Sequence, residues 1–208
     1  MKLILACTAV ILLSSAVELA RPTYRRRNSI GQIYRASNIT PVPQQILEVY
    51  FKHLEIAPGM EIPPEAAIEP PTIGFDFHPG CYYTFVAFNP DFPAPDSDLN
   101  PILSADLDGL YVNLYGTSDG DIMLEDSSEI AAWTGPNPFP CSGLNRYLLY
   151  VYKQRGMLNT TDEALLRYES IPLGFSLDDF VEAFDLSGPI AGTFYGSQYP
   201  LPPGYCID

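Results

Sequence analysis

Residues 81–88 read Cys81-Tyr82-Tyr83-Thr84-Phe85-Val86-Ala87-Phe88, an almost unbroken series of aromatic and β-branched residues. A strand with one face in water alternates apolar and polar positions, whereas a strand covered on both faces reads as a continuous apolar run. The stretch therefore predicts a buried central strand, entered through the Pro79-Gly80 turn. Residues 110–114 and 147–152 read the same way. Residues 46–51 read as a further strand with 53–56 as its hairpin partner, and 73–77 alternate. Helical sequence is scarce. Its clearest case is 176–186, where Ser176 can cap, Asp179 takes the capping-box position, and Leu177, Phe180, Val181 and Phe184 form one apolar face. Ser187-Gly188-Pro189 is expected to end it, and 161–168 suggests a shorter helix. With 21 Pro and 25 Tyr plus Phe among 208 residues, the expected class is mainly antiparallel β with a few short peripheral helices.

Upstream of this body the chain changes character. Met1-Lys2 is followed by an apolar run over 3–13 broken only by Thr8, then by Ser14, Ser15 and Ala16. That is the pattern of a signal peptide, with cleavage expected after Ala16 and Ala20 as the second choice. The run is shorter than the roughly 20 residues that span a bilayer, so no membrane span is expected. The expected layout is a signal at 1–16, a basic flexible arm at 17–40 and a single domain at 41–208. From Asn28 onward six basic residues face 24 acidic ones, a net of −18. Such a body repels phosphate backbones, which excludes nucleic acid as a partner. Arg25-Arg26-Arg27 has two readings, a processing site that releases a short propeptide or a solvated basic arm.

Behind a signal peptide, Asn38-Ile39-Thr40 and Asn159-Thr160-Thr161 are candidate glycosylation sites. Cys81, Cys141 and Cys206 remain after signal removal, enough for one disulfide and one spare thiol. Catalytic patterns are missing. His53 and His78 stand in no metal or triad spacing, and no nucleophile elbow, phosphate loop or zinc helix motif occurs. Asp106-Leu107-Asp108-Gly109 and Asp119-Gly120-Asp121 lack the remainder of a calcium loop, and turn chemistry accounts for them better. The sequence reads as non-catalytic, with no cofactor and no metal.

Three segments, in order, resemble the phosphatidylethanolamine-binding protein family. Residues 83–93 (Tyr83 to Asn89-Pro90-Asp91-Phe92-Pro93) are similar to its strand leading into Asp-Pro-Asp-x-Pro. Gly135-Pro136, then Ser142-Gly143-Leu144-Asn145-Arg146-Tyr147 and the following strand, are similar to its Gly-Pro and Gly-x-His-Arg-Tyr segments. Phe175-Ser176 through Phe180, then Gly188-Pro189-Ile190-Ala191-Gly192-Thr193-Phe194-Tyr195, resemble its helix and closing segment. The resemblance implies a two-sheet β fold with a small pocket for anionic groups such as phosphate. It places Asn89, Asp91, Asp108, Pro136, Asn145, Tyr147 and Tyr195 at that pocket.

Three of these depart from the family. Asn89 stands for an Asp, and Asp108 and Asn145 stand for two His. Imidazoles donate hydrogen bonds and attract phosphate when charged; a carboxylate only accepts and repels it. Asp91 and Arg146 are expected to pair and hold the pocket loops, and the loop over 136–141 to narrow the entrance. The resemblance thus implies a secreted ligand-binding protein whose anion and lipid head-group pocket is altered or lost, with a neutral, cationic or lipid-like ligand in its place. Protease inhibition, known in the family and requiring an extracellular protein partner, is the second reading. An acidic matrix component is the third. The pocket alignment also yields a disulfide expectation. If the segments holding Cys81 and Cys206 both run away from the pocket, these two cysteines meet and Cys141 is the spare thiol.

Overall fold

The computed structural model describes residues 29–92, 105–116, 121–169 and 173–202. The signal peptide, Arg25-Arg26-Arg27, Asp119 and Cys206 lie outside the described residues. In chain order the elements are α1 (Ile30–Ala36), β1 (Gln45–Ile46), β2 (Glu48–Phe51), β3 (Leu54–Glu55), β4 (Met60–Glu61), β5 (Thr72–Gly74), β6 (Tyr82–Asn89) and β7 (Asp106–Tyr115). Then follow β8 (Asp121–Met123), β9 (Ser128–Ala131), β10 (Asn145–Lys153), α2 (Glu163–Leu166), α3 (Leu177–Ala183) and β11 (Ser187–Ser197). They form two sheets. The larger runs β1-β11-β10-β6-β7-β9 with β4 also on β11, and the smaller runs β3-β2-β5-β8. Pairing is antiparallel except where β1 and β4 join β11. The mainly β, two-sheet class is the one expected from the sequence.

The continuous apolar reading of β6 has its cause in the layering. Its Phe85 and Ala87 enter an inner core with Leu149, Val151 and Tyr111, between the two sheets. Its Val86 and Phe88 enter an outer core with Leu148, Tyr150 and Leu110, beneath α1, α3 and the turn after α2. Buried on both faces, β6 and β10 lose the alternation that water on one side would impose. Two sequence readings need adjustment here. The stretch over 46–51 divides, because Ile46 pairs with Gly192 of the larger sheet while Val49 pairs with Ile73 of the smaller. Only 72–74 of the alternating segment is strand, although Phe75 and Phe77 are buried and pack ring to ring. In α3 the Ser176 hydroxyl accepts from the Asp179 amide at 3.3 Å, and the helix stops at Ala183 with Asp185 at φ 50°.

The flexible arm expected at 17–40 is corrected over 29–40. Ser29 and Gln32 form a capping box that starts α1, and Tyr34 on that helix is fully buried. Its ring meets Phe194 edge-on at 5.2 Å. The domain therefore begins at least as early as Ser29. The reason is tertiary: one aromatic side chain, silent in a polar stretch, fills a hole in the outer core.

The disulfide expectation is also corrected. Cys81 is a free, half-buried thiol, and Cys141 is disulfide-bonded. Ser197 at the end of β11 pairs with Asn145, so the chain leaves that strand at the Asn145 end. Residues 198–201 then line the same groove as Cys141. Cys81 sits at the opposite end of β6, beyond the Tyr83–Lys153 pair. The C-terminal segment thus stays near the expected pocket instead of running away from it.

Two measurements check these corrections. Tyr34→Ala should lower stability by about 3–5 kcal/mol in chemical denaturation, the usual cost of deleting a buried aromatic ring; a flexible arm would register no change. Alkylation of the denatured, unreduced protein should label Cys81, and should label Cys141 only after reduction.

Candidate functional site

Strand alternation brings the expected pocket residues together at one end of the inner face. Asn89 continues the side of β6 that carries Ala87, Asn145 shares a side of β10 with Tyr147, and Ser197 shares one of β11 with Tyr195. Asp108 arrives there by a different route. Ala87 pairs with Gly109 and Phe88 with Leu107, so Asp108 is the extra residue of a β-bulge. A bulge shifts the alternation by one position and re-aims a side chain. Leu107 accordingly packs in the outer core with Leu110 and Val112, and Asp108 turns to the inner face. The Asp-Gly pair read from sequence as a turn is part of a strand.

The site divides into a satisfied half and an unsatisfied half. In the first, the Asn89 Nδ2 donates to Asn145 Oδ1 at 3.1 Å, and Asn89 Oδ1 accepts from the Asp91 amide at 2.9 Å. Asn145 Nδ2 donates onward to Ser142 Oγ at 2.8 Å and to the Gly143 carbonyl at 3.3 Å. Asp91 is gripped by Arg146, with Nε and the main-chain amide on Oδ2 at 2.8 Å each and Nη2 on Oδ1 at 2.6 Å. Arg146 Nη1 also donates to the Ser37 and Asn38 carbonyls at 2.9 and 3.2 Å. One guanidinium thus joins the Asn89-Pro90-Asp91 loop, β10 and the end of α1. Asp91 has no carboxylate oxygen left without a donor, so it positions the pocket loop.

In the second half, Asp108 is 2% exposed and its Oδ2 has no hydrogen-bond partner. The Tyr147 hydroxyl, Ser197 Oγ and Thr193 Oγ1 are likewise buried without partners. The Tyr147 hydroxyl lies toward the Asn89 amide and the Asn137 main chain but reaches hydrogen-bond geometry with neither. Tyr147 and Tyr195 stack with centroids 5.2 Å apart and planes 11° from parallel. Burial first, and the charge of Asp106 second, raise the Asp108 carboxyl well above its ordinary value of 3.8. Burial pushes Asp106 up to about 6. Burial, with the Asp108 charge second, raises both tyrosines as well.

The rim completes the geometry. Pro136 is buried, and Gly135 at φ 68° approaches so closely that a Cβ would stand 2.8 Å from the Ala67 carbonyl. Trp133 Nε1 donates to that same carbonyl at 2.9 Å. Phe139 packs on Phe92 at 5.0 Å and clasps the two pocket loops together. An open groove of about 690 Å³ lies alongside, lined by Glu61, Ile62, Cys141, Gly143, Gln198 and Tyr199, and does not include the buried cluster. His53 and His78 are both exposed, so neither enters the cluster. Among the described residues no group of three or more His, Cys, Asp or Glu could hold a metal. Asn38 and Asn159 are exposed, and Asn159 Oδ1 accepts from the Thr161 hydroxyl at 2.9 Å. Sequence reasoning missed Asp106, Thr193 and Ser197. The last two were legible as the alternating neighbours of Tyr195.

No family model matches the chain. A 26 kDa secreted antigen of Toxocara canis is 26% identical over 162 residues, 77% of this chain and 59% of that protein. The chain therefore spans less than two thirds of that relative's length. The putative odorant-binding protein A5 of Drosophila melanogaster is 27% identical over 159 residues, covering 76% of this chain and 72% of that one. Among solved structures, carboxypeptidase Y inhibitor complexed with its cognate proteinase superposes with a TM-score of 0.65 at 18% identity, over 81% of this chain and 94% of that chain. A phosphatidylethanolamine-binding protein from Plasmodium vivax gives 0.56 at 17% identity, over 81% and 97%. No described helix is long and apolar enough to cross a membrane.

The raised carboxyl of Asp108 has a consequence for stability. An unfolded chain gives up this proton near pH 4 while the folded chain keeps it. The folded state is thus undiminished below pH 4 and loses stability as pH rises through the folded values of Asp106 and Asp108. Asp108→Asn cannot ionise and removes the larger share of that loss. Melting curves of the two proteins should coincide near pH 4 and separate toward pH 8, with Asp108→Asn the more stable by about 1 kcal/mol or more, the worth of a shift of one unit.

Proposed function

This chain belongs to the phosphatidylethanolamine-binding protein family, and we propose that it is a secreted, non-catalytic binding protein whose pocket no longer holds anions. The observation that carries the reading is the Asp108 carboxyl, buried at the pocket end with one oxygen unpartnered. Where the family presents imidazoles that can carry positive charge, an anion here would meet a buried carboxyl that never does and that repels it once ionised, and neither amide of the Asn89–Asn145 pair supplies a compensating charge. Export follows from the signal-like N-terminus and agrees with a secreted relative. Exposed Asn38 and Asn159 are then open to glycosylation.

The absence of catalysis rests on chemistry. A general base needs a reachable substrate and a pKa near working pH. Asp91 is fully engaged by Arg146, His53 and His78 are exposed and outside the cluster, and Asp108 Oδ2 has no hydrogen-bond partner. A second reading, extracellular protease inhibition, is favoured by one observation, the fold shared with carboxypeptidase Y inhibitor. It places function on the exposed loops and not in the pocket. Stoichiometric inhibition in a panel of serine proteases and carboxypeptidases would move the function there.

Calorimetry with inorganic phosphate at pH 6 separates an altered pocket from an intact one. The wild-type protein should show no binding tighter than millimolar. Asp108→His with Asn145→His should gain at least ten-fold, since each hydrogen bond to a charged group contributes about 1.5–3 kcal/mol. Micromolar phosphate binding by the unmodified chain overturns the reading.

A further inference from the structure

We infer that Cys141 is bonded to Cys206 of the same chain, and that this disulfide straps the C-terminal tail across the groove beside the pocket loops. The inference takes export from the reading above and uses nothing of its account of the anion pocket. Four cysteines occur in the chain. Cys141 is disulfide-bonded and Cys81 is a free thiol. Cys7 lies in the signal-like run that export removes, which leaves Cys206. Reach gives the same answer. Tyr199, Pro200 and Leu201 line the groove together with Cys141 and Gly143. Five residues beyond Leu201, Cys206 lies within about 18 Å of it, the span of a fully extended chain of that length. A disulfide needs Cα atoms within about 7 Å of each other, which Cys141 on the same groove permits. Cys81 is at the far end of the sheet. Ser197 pairs with Asn145 whereas Tyr83 pairs with Lys153, and the nine residues of β10 hold those two ends about 26 Å apart. Cys81 lies beyond Tyr83, outside the reach of the tail.

The bond closes a ring over the groove. Leu201 and Cys141 both stand on its lining, so the chain that joins one to the other, residues 202–206, has to cross the opening. Large apolar side chains are exposed around that opening. Tyr199 is in the lining itself, and Phe139 and Leu144 adjoin Cys141 and Gly143 in sequence. The tail carries Tyr205 and Ile207 on either side of Cys206, apolar chemistry that suits such a rim. The other end of the bond acts on the pocket loop. Cys141 has φ 65°, and the next residue, Ser142, accepts from Asn145 Nδ2 at 2.8 Å and donates to the Phe139 carbonyl at 2.8 Å. Phe139 in turn packs on Phe92. The disulfide therefore fixes the loop between the two contacts that set its position against β10 and the Asn89-Pro90-Asp91 loop. In an oxidising compartment the strap persists, and it keeps a partner peptide from lying along the groove until the bond is reduced.

The test uses the full chain collected from the medium of secreting cells. Mass-spectrometric mapping of an unreduced digest should recover a peptide pair linking Cys141 to Cys206, with Cys81 as a thiol. A Cys81–Cys141 or Cys81–Cys206 pair, free thiols at both Cys141 and Cys206, or a covalent dimer on a non-reducing gel would each overturn the inference. The same digest reads the N-terminus. A chain that keeps Cys7 removes the export reading, while the linked pair found in that chain would still support the bond. Cys206→Ser should lower the melting temperature by about 5–10 °C, the usual effect of losing a disulfide that closes a long loop in a domain of this size. In hydroxyl-radical footprinting, Tyr199 and Leu144 should be labelled at least two-fold faster in Cys206→Ser than in the wild type, and at the wild-type rate in Cys81→Ser. Brief reduction of the wild-type protein should raise the same two rates, a readout that does not depend on the variant folding. Unchanged labelling after reduction would overturn the strap across the groove.

Discussion

Double-sided burial of the larger sheet is the constraint on which the rest of the molecule depends. With the smaller sheet on one face and helices on the other, β6 and β10 have no side on which a polar group can reach water. Each polar residue on them must find a partner in place or carry the cost of having none. Two solutions coexist along this sheet. Away from the pocket, Gln154 Oε1 accepts from Thr84 and from the Asn113 amide while its Nε2 donates to Asn113, a closed network with every group engaged. At the opposite end, Asp108, Tyr147 and Ser197 remain open. The same physical demand is met in one place and left unmet in the other.

Arg146 ties together the elements at this end of the sheet. Its planar fork binds both oxygens of Asp91 while its remaining nitrogen reaches the carbonyls at the end of α1. Cations are favoured at a helix C-terminal end, so the residue serves a helix and a loop together. Half-burial of the pair strengthens the attraction relative to a surface ion pair and avoids the full desolvation penalty of a deep one. The Asn89–Asn145 bond and the Phe92–Phe139 contact then fix the two loops relative to each other.

In the proposed reading, a change of ligand class needs very few exchanges on this scaffold. The strand carrying Asp108 must bulge for any residue at that position to face inward, whatever its chemistry. Once the backbone has done this, the side chain at that position sets the chemistry that the inner face presents. Fold and site chemistry are thereby separable in this molecule: hydrophobic layering maintains the first, and a handful of buried polar groups sets the second.

How much of this was readable in one dimension depends on how local each cause is. The amino-acid sequence determined the β class, the central position of β6 and β10, the capped helix at Ser176 and the two-sheet family, because continuous apolar runs and capping residues act over a few positions. The family resemblance, through motif order, implied that Asn89, Asp108, Asn145, Tyr147 and Tyr195 share one pocket. Tertiary structure alone decided that Tyr34 draws 29–40 into the domain, since a single buried ring leaves no periodic trace. It alone decided which cysteine is bonded, because that depends on the direction in which β11 delivers the C-terminal segment. It alone turned Asp108 inward, since a bulge exists only relative to a partner strand, and the register between β6 and β7 is written in neither strand by itself.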